Sequence, residues 1–218
     1  MSPQPELATA RLRLRARTLA DLEANLAMDL DPEVHRFIFL RGAPDPVAQR
    51  AALTERIASG WPERGRLWVV EWRDRPGFLG WCGLFPLEDS GLIEIGYRYV
   101  RAAWGRGVAT EAGRTVLDHG FGVLGIDPIV AVAARENTAS RRVLEKLGLS
   151  YRGLRFHYGL DLPFYELSRS AYLTQRASSH PERRRARAEE RARTRTPLPC
   201  ARSIPRGRPR PRAGGRAR

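Results

Sequence analysis

Apolar and polar positions alternate strictly over residues 10–17, "ARLRLRAR", the period-two pattern of a strand with one buried face. Thr18 follows as an N-cap with Asp21 three residues on, which predicts a helix through about Met28. "DPEVHRFIF" (31–39) opens a second short helix. Asp45-Pro46 is another start signal, a cap and then proline at the first helical position, and its helix should run to about Ser59 and stop at Gly60. Three strand patterns come next. "RLWVVEW" (66–72) and "GFLGWCGLF" (77–85) flank the turn Asp74-Arg75-Pro76-Gly77, and "LIEIGYRYV" (92–100) is the third. After a glycine turn, residues from Val108 to about Gly120 read as a helix. "PIVAVAA" (128–134) is the unbroken apolar run of a central strand. Asn137 starts a helix that lines up Ala139, Val143, Leu144 and Leu147 and stops at Gly148. "YRGLRFHY" (151–158) and "FYELSRS" (164–170) close the series as a strand pair. The order β-α-α-β-β-β-α-β-α-β-β predicts an α/β domain, a mixed sheet with helices on its faces around one core.

Composition changes this picture at one end. The 218-residue chain carries a formal charge of +14, which would suit a nucleic-acid binder if it were spread over the fold. Residues 176–218 alone hold fifteen arginines and three acidic residues, a net +12. The expected organisation is therefore one domain over residues 1–175 and a disordered Arg/Pro-rich tail over residues 176–218 with almost nothing apolar to bury. Lys146 is the single lysine. Cys82 and Cys200 stand in unrelated settings, so neither a disulfide nor a metal site is expected, and His35, His119, His157 and His180 show no ligand spacing. The N-terminus lacks a signal-peptide pattern, and no apolar run approaches the roughly 20 residues of a membrane span. A cytoplasmic protein is expected.

Between the third strand and the next helix lies "WGRGVATEA" (104–112). It is not a Walker loop, and Thr110 occupies the place of the third glycine of a dinucleotide fingerprint. The turn is nonetheless suited to phosphate. Gly105 and Gly107 allow close backbone approach, a helix N-terminus offers unpaired N–H groups, and Arg106 adds a cation. An ordinary tight turn is the competing reading.

Together with "ENTASRRVLEKLGL" (136–149), this stretch resembles the acetyl-coenzyme A signature Q/R-x-x-G-x-G/A of the GNAT acyltransferase superfamily, with Trp104 at the Q/R position. Trp at that position, "ARLRLRARTLADLEA" and "FYELSRSAYL" resemble the branch of the ribosomal-protein N-terminal acetyltransferases RimJ and RimL. The resemblance spans about residues 8–175. It implies a mostly antiparallel sheet with one splayed parallel pair, and acetyl-CoA as acyl donor. The pyrophosphate would lie on amides of Gly105, Arg106, Gly107, Val108, Ala109 and Thr110, the pantetheine arm along Tyr97, Arg98 and Tyr99, and Asn137 beside it. Asn137 is equally well placed as a helix N-cap.

Acetyl transfer to an amine needs a neutral amine, donors for an oxyanion and help for the leaving thiolate. Backbone N–H groups near Tyr97 are the expected oxyanion donors. Glu94 is the candidate base, acidic in an apolar strand; its competing role is a partner for Arg98. Glu111 is already explained by the helix dipole. Many relatives would use a tyrosine where Leu144 stands, so Ser140, which resembles a serine of the Rim-like branch, is the candidate for the thiol, with Tyr165 and Tyr158 as fallback donors. The chemistry calls for no metal. The expected acceptor is a primary amine, foremost a protein N-terminal α-amine. The alternatives are a polyamine or antibiotic, or a non-catalytic acyl-CoA-responsive or nucleic-acid-binding protein. Weak, sequence-independent contact of residues 176–218 with RNA or another polyanion is a further expectation, and the protein would be a monomer or homodimer.

Overall fold

A computed structural model describes residues 4–38, 45–59 and 65–179. The alternating N-terminal segment is strand β2 (Leu12–Ala16), paired with a two-residue strand β1 (Leu7–Ala8). Leu12 and Leu14 are fully buried while Arg13 stays at the surface, as the alternation requires. The Thr18 N–H donates to Asp21 Oδ2 (2.9 Å) and opens a 3-10 turn that runs into α1 (Leu22–Leu30). Asp31 caps the short α2 (Pro32–His35). Asp45 accepts from the Val47 and Ala48 amides (3.2 Å each) at the start of α3 (Pro46–Ala58). Its predicted stop, Gly60, lies outside the described residues, as does the end of the "DPEVHRFIF" segment.

Strands β3 (Arg66–Trp72), β4 (Gly80–Pro86) and β5 (Ile93–Tyr99) form an antiparallel meander. Helix α4 (Val108–Gly122) crosses to β6 (Ile129–Val132), and α5 (Thr138–Leu147) leads to the hairpin of β7 (Ser150–His157) and β8 (Leu160–Leu167). The sheet order is β1-β2-β3-β4-β5-β6-β8-β7, and only β5 and β6 run parallel.

One face of the sheet packs Leu14, Trp68, Leu84, Ile95 and Ile129 against Val116, Leu117 and Phe121 of α4 and Leu144 and Leu147 of α5. The other face is tied to α1 and α3 by buried polar contacts. Asp29 of α1 accepts from Gln49 Nε2 of α3 (2.9 Å) and pairs with Arg98 of β5. Removing one partner of such a buried pair leaves an uncompensated charge, so it fixes where α1 sits.

The last segment differs from expectation. The predicted strand over 164–170 stops at Leu167, and the chain turns into a helix, α6 (Arg169–Ser179). Ser168 Oγ accepts from the Ala171 amide (3.2 Å), and Tyr172 stacks on Phe121 of α4 (4.8 Å between centroids) with its hydroxyl on Asp118. An arginine-rich continuation hides this single-anchor helix from a periodicity reading. The expected tail lies outside the described residues beyond Ser179.

Candidate active site

β5 and β6 hydrogen-bond only at Ile93↔Ile129 and Glu94↔Val130. β5 then continues to Tyr99 beside β4, while β6 continues to Val132 beside β8. Beyond Glu94 the two strands separate, and the β5 edge that faced β6 has no strand partner. Unpaired main-chain groups along such an edge can receive an extended ligand as a further strand. Tyr97, Arg98 and Tyr99 lie on this stretch. The Tyr99 side chain is buried beside Cys82, and its carbonyl accepts from Trp104 Nε1 (2.8 Å). Trp104 therefore pins the end of β5.

The glycine turn sits where the chain leaves that strand. Gly105 (φ 70°) and Gly107 (φ 78°) are left-handed, which explains their identity without any close packing: a Cβ on Gly105 would meet nothing within 4 Å. Gly107 is the N-cap of α4, with no side-chain cap, and the first amide to close a helical bond is Glu111 N–H onto Gly107 O (3.0 Å). The amides of Val108, Ala109 and Thr110 thus have no intrahelical partner. The Val108 side chain is buried in the core, so that residue offers only its backbone. Arg106 lies over the Trp72 ring (4.8 Å) and its carbonyl accepts from Arg11 Nη2 (3.1 Å).

Glu111 is held by Arg11 Nε (2.8 Å) and by the Thr9 hydroxyl (2.5 Å). Burial pushes its carboxyl up, but these hydrogen bonds and the Arg11 charge outweigh it and leave the group below the usual range. It braces the turn against β2. Thr9, Arg11 and Trp72 were missed by the sequence reading, because each meets the turn across a large separation along the chain.

On the core face of the gap, Asn137 Oδ1 accepts from Ser140 N–H (3.0 Å) as the N-cap of α5. Tyr97 Oη lies 3.1 Å from both the Ser140 carbonyl and its hydroxyl, bridging β5 to α5 across the opening. Burial raises the Tyr97 phenol well above its ordinary value, so it stays protonated and donates. Leu144 is buried and apolar. The fallback donors are engaged elsewhere: Tyr165 Oη accepts from Arg141 Nε (2.9 Å), and Tyr158 donates to Glu94.

Glu94 emerges on the opposite face of β5 from Tyr97. It is 5% exposed, opposite Phe85 of β4 and Val130 of β6. The alternative role beside Arg98 is not what it adopts: Arg98 pairs with Asp29 and lies over Trp81 (5.4 Å). Burial pushes the Glu94 carboxyl up to about 7, the nearby Glu88 charge adds to the rise, and the Tyr158 hydrogen bond opposes it. Among the described residues no group of three His, Cys, Asp or Glu side chains is arranged to hold a metal, and no helix is long and apolar enough to cross a membrane.

The chain as a whole is similar to known proteins. The family profile described as "Acetyltransferase (GNAT) domain" matches residues 11–150. The uncharacterized protein YkkB of Bacillus subtilis (strain 168) is 32% identical over 76% of this chain and 97% of its own. The uncharacterized N-acetyltransferase YoaA of the same organism is 34% identical over 71% and 88%. Among solved structures, spermidine N-acetyltransferase from Vibrio cholerae, in complex with CoA and spermine, superposes with a TM-score of 0.62 at 20% identity, covering 76% of this chain and 99% of that one.

Proposed function

The chain belongs to the GNAT acetyltransferase family and is an acetyl-CoA-dependent N-acetyltransferase, and from that premise we propose that it acetylates an α-amine, foremost a protein N-terminus, by direct attack, with Glu94 as base and Ser140 and Tyr97 at the thiol. The observation that carries the reading is the opening of the sheet past Glu94, with a buried carboxyl on one face of β5 and a pair of hydroxyls on the other. A thioester threaded through that gap would meet an amine from the Glu94 side while its sulfur lay toward α5.

The amides of Gly105 to Thr110 would hold the pyrophosphate and the open edge at Tyr97 and Arg98 the pantetheine, with Asn137 and Ser140 at the inner end. Free N–H groups on that edge, near Tyr97, would receive the oxyanion. The incoming amine passes its proton to Glu94. A carboxyl near 7 is well matched to this task, since it is half ionised at neutral pH and still basic enough to accept. An α-amine has a pKa of about 7.7–8.0, so roughly a tenth is neutral at pH 7, whereas a lysine amine near 10.4 is almost wholly charged. Ser140 and Tyr97 donate hydrogen bonds to the departing sulfur, which eases its release without a full proton transfer. The affinity for the RimJ/RimL branch, a cytoplasmic location and polyanion contact through residues 176–218 belong to the same proposal.

Thiol release from acetyl-CoA, measured over a panel of peptide N-termini and small amines, tests it. Peptides with free α-amines should be the best acceptors, and acetylating their N-termini beforehand should abolish turnover. Ser140→Ala should cost about tenfold in kcat, the scale of one hydrogen bond of order 1 kcal/mol. Release with polyamines or aminoglycosides alone would overturn the assignment of the acceptor.

A further inference from the structure

Two residues other than glycine have a left-handed backbone among the described residues, Glu88 (φ 46°) and Tyr158 (φ 54°). They stand in different turns, one between β4 and β5 and the other between β7 and β8, and they are bonded to each other: Glu88 Oε1 accepts from the Tyr158 amide (3.0 Å). The same carboxylate takes His157 Nδ1 on its second oxygen (2.9 Å). Neither residue is forced into this conformation by core packing, since Tyr158 is 48% exposed and the Glu88 side chain 39%. An exposed left-handed turn position ordinarily favours Gly or Asn, and strained positions that carry larger side chains gather where a site requires them. Tyr158 leaves that turn with its hydroxyl on Glu94 Oε1, and among the described residues Oε2 has no hydrogen-bond partner.

We propose that Tyr158 is a positioning residue for Glu94 and that Glu88 holds it in place: the Tyr158 hydroxyl fixes one carboxyl oxygen so that the other is presented to the acceptor amine, and the Glu88 clamp keeps the turn closed over the strand. The inference rests on Glu94 being the base. The groups around Glu94 also set its proton affinity. Tyr158 faces it from the β7–β8 turn, and Glu88, which also meets His157 at the end of β7, acts on it from the β4–β5 turn. Along the same face of β5, Arg98 is committed to Asp29 of α1, which Gln49 of α3 also meets. Val130 of β6 and Phe164 of β8 are apolar, and Arg155 lies over the Phe164 ring (3.8 Å). Burial raises the carboxyl, the Tyr158 hydrogen bond lowers it and the Glu88 charge raises it. The two supports therefore act on Glu94 with opposite sign.

That opposition gives the test. Tyr158→Phe removes a hydrogen bond to the ionised form, so Glu94 should titrate about one unit higher. Glu88→Gln removes a like charge while keeping an amide oxygen for the Tyr158 N–H, so Glu94 should titrate about half a unit lower. Carbon-13 NMR of the full chain labelled at glutamate Cδ, with the signal assigned by its loss in Glu94→Gln, reads this directly. Rate–pH profiles at saturating acetyl-CoA should show the acid limb moving the same way, with kcat at pH 6.5 several-fold lower in Tyr158→Phe and KM for acetyl-CoA unchanged. A merely structural role would move neither limb, or both in one direction with a loss of melting temperature. A Glu94 titration left in place by both variants overturns the inference. Opposite shifts by NMR without a matching kinetic limb would uphold the positioning and overturn Glu94 as base.

Discussion

At the scale of single residues, Glu94 joins activity to a stability cost. Folded Glu94 keeps its proton to about pH 7, against a value of 4.5 for a free side chain, so the native state binds more protons than the unfolded chain between those limits. Stability must then fall as pH rises from 4.5 to 7 and stay lower above. Glu94→Gln cannot ionise and escapes this loss. Urea unfolding should show the variant close to the native chain at pH 4.5 and more stable at pH 8, by up to about 3 kcal/mol from 1.36 kcal/mol per unit. The same variant should lose about a hundredfold or more in kcat. A stability difference independent of pH would mean that Glu94 is ionised throughout. The pattern of "LIEIGYRYV" was enough to single out this carboxyl, because an acidic residue interrupts an apolar strand. It could not choose between Arg98 and a free role, since the deciding contacts are long-range: Asp29 lies 69 residues from Arg98, and Tyr158 lies 64 residues from Glu94.

At the scale of elements, caps and turns were the legible part. Asp45-Pro46, Asn137 and Gly148 each mark a helix end where the structure has one, because capping is a local contract between a side chain and a nearby amide or carbonyl. β1 has only two residues and no pattern to read, and β8 begins at Leu160, four residues before the segment read as a strand. α6 was missed because Tyr172 is its one deeply buried anchor. The glycine turn was legible as the entry to α4, but neither its left-handed backbone nor its bracing by Arg11 and Glu111 was. Gly107 tests the element as a whole. At a hundredfold excess over Kd, acetyl-CoA should stabilise the native chain by about 2.7 kcal/mol. Gly107→Glu places a charged side chain at a left-handed position beside the free amides of α4. It should cost about 1–3 kcal/mol in the free protein and abolish the ligand-induced shift, as read by melting with and without acetyl-CoA. A full shift in the variant would place the pyrophosphate elsewhere.

For the whole molecule, the question is where the fold ends. The expected boundary at residue 175 falls inside α6, whose Arg176 pairs with Asp118. A chain ending after Ser179 should melt and turn over like the full chain, whereas Tyr172→Ala should cost about 3 kcal/mol through its lost packing on Phe121. Full-length protein, but not the shortened one, should bind RNA, with affinity falling steeply between about 50 and 200 mM salt as condensed counterions cease to drive association. Equal binding by both would remove residues 180–218 from any such contact. The brief pairing of β5 with β6 has a different consequence. Strands β1 to β5 and the set β6, β8 and β7 are two leaves of one sheet, stitched together by hydrogen bonds at a single end. On the proposed reading, the pantetheine arm supplies the missing stitches as a removable strand. The enzyme's resistance to proteases would then rise and fall with the supply of its own donor, which makes its lifetime, and not only its turnover, answer to the acetyl-CoA around it.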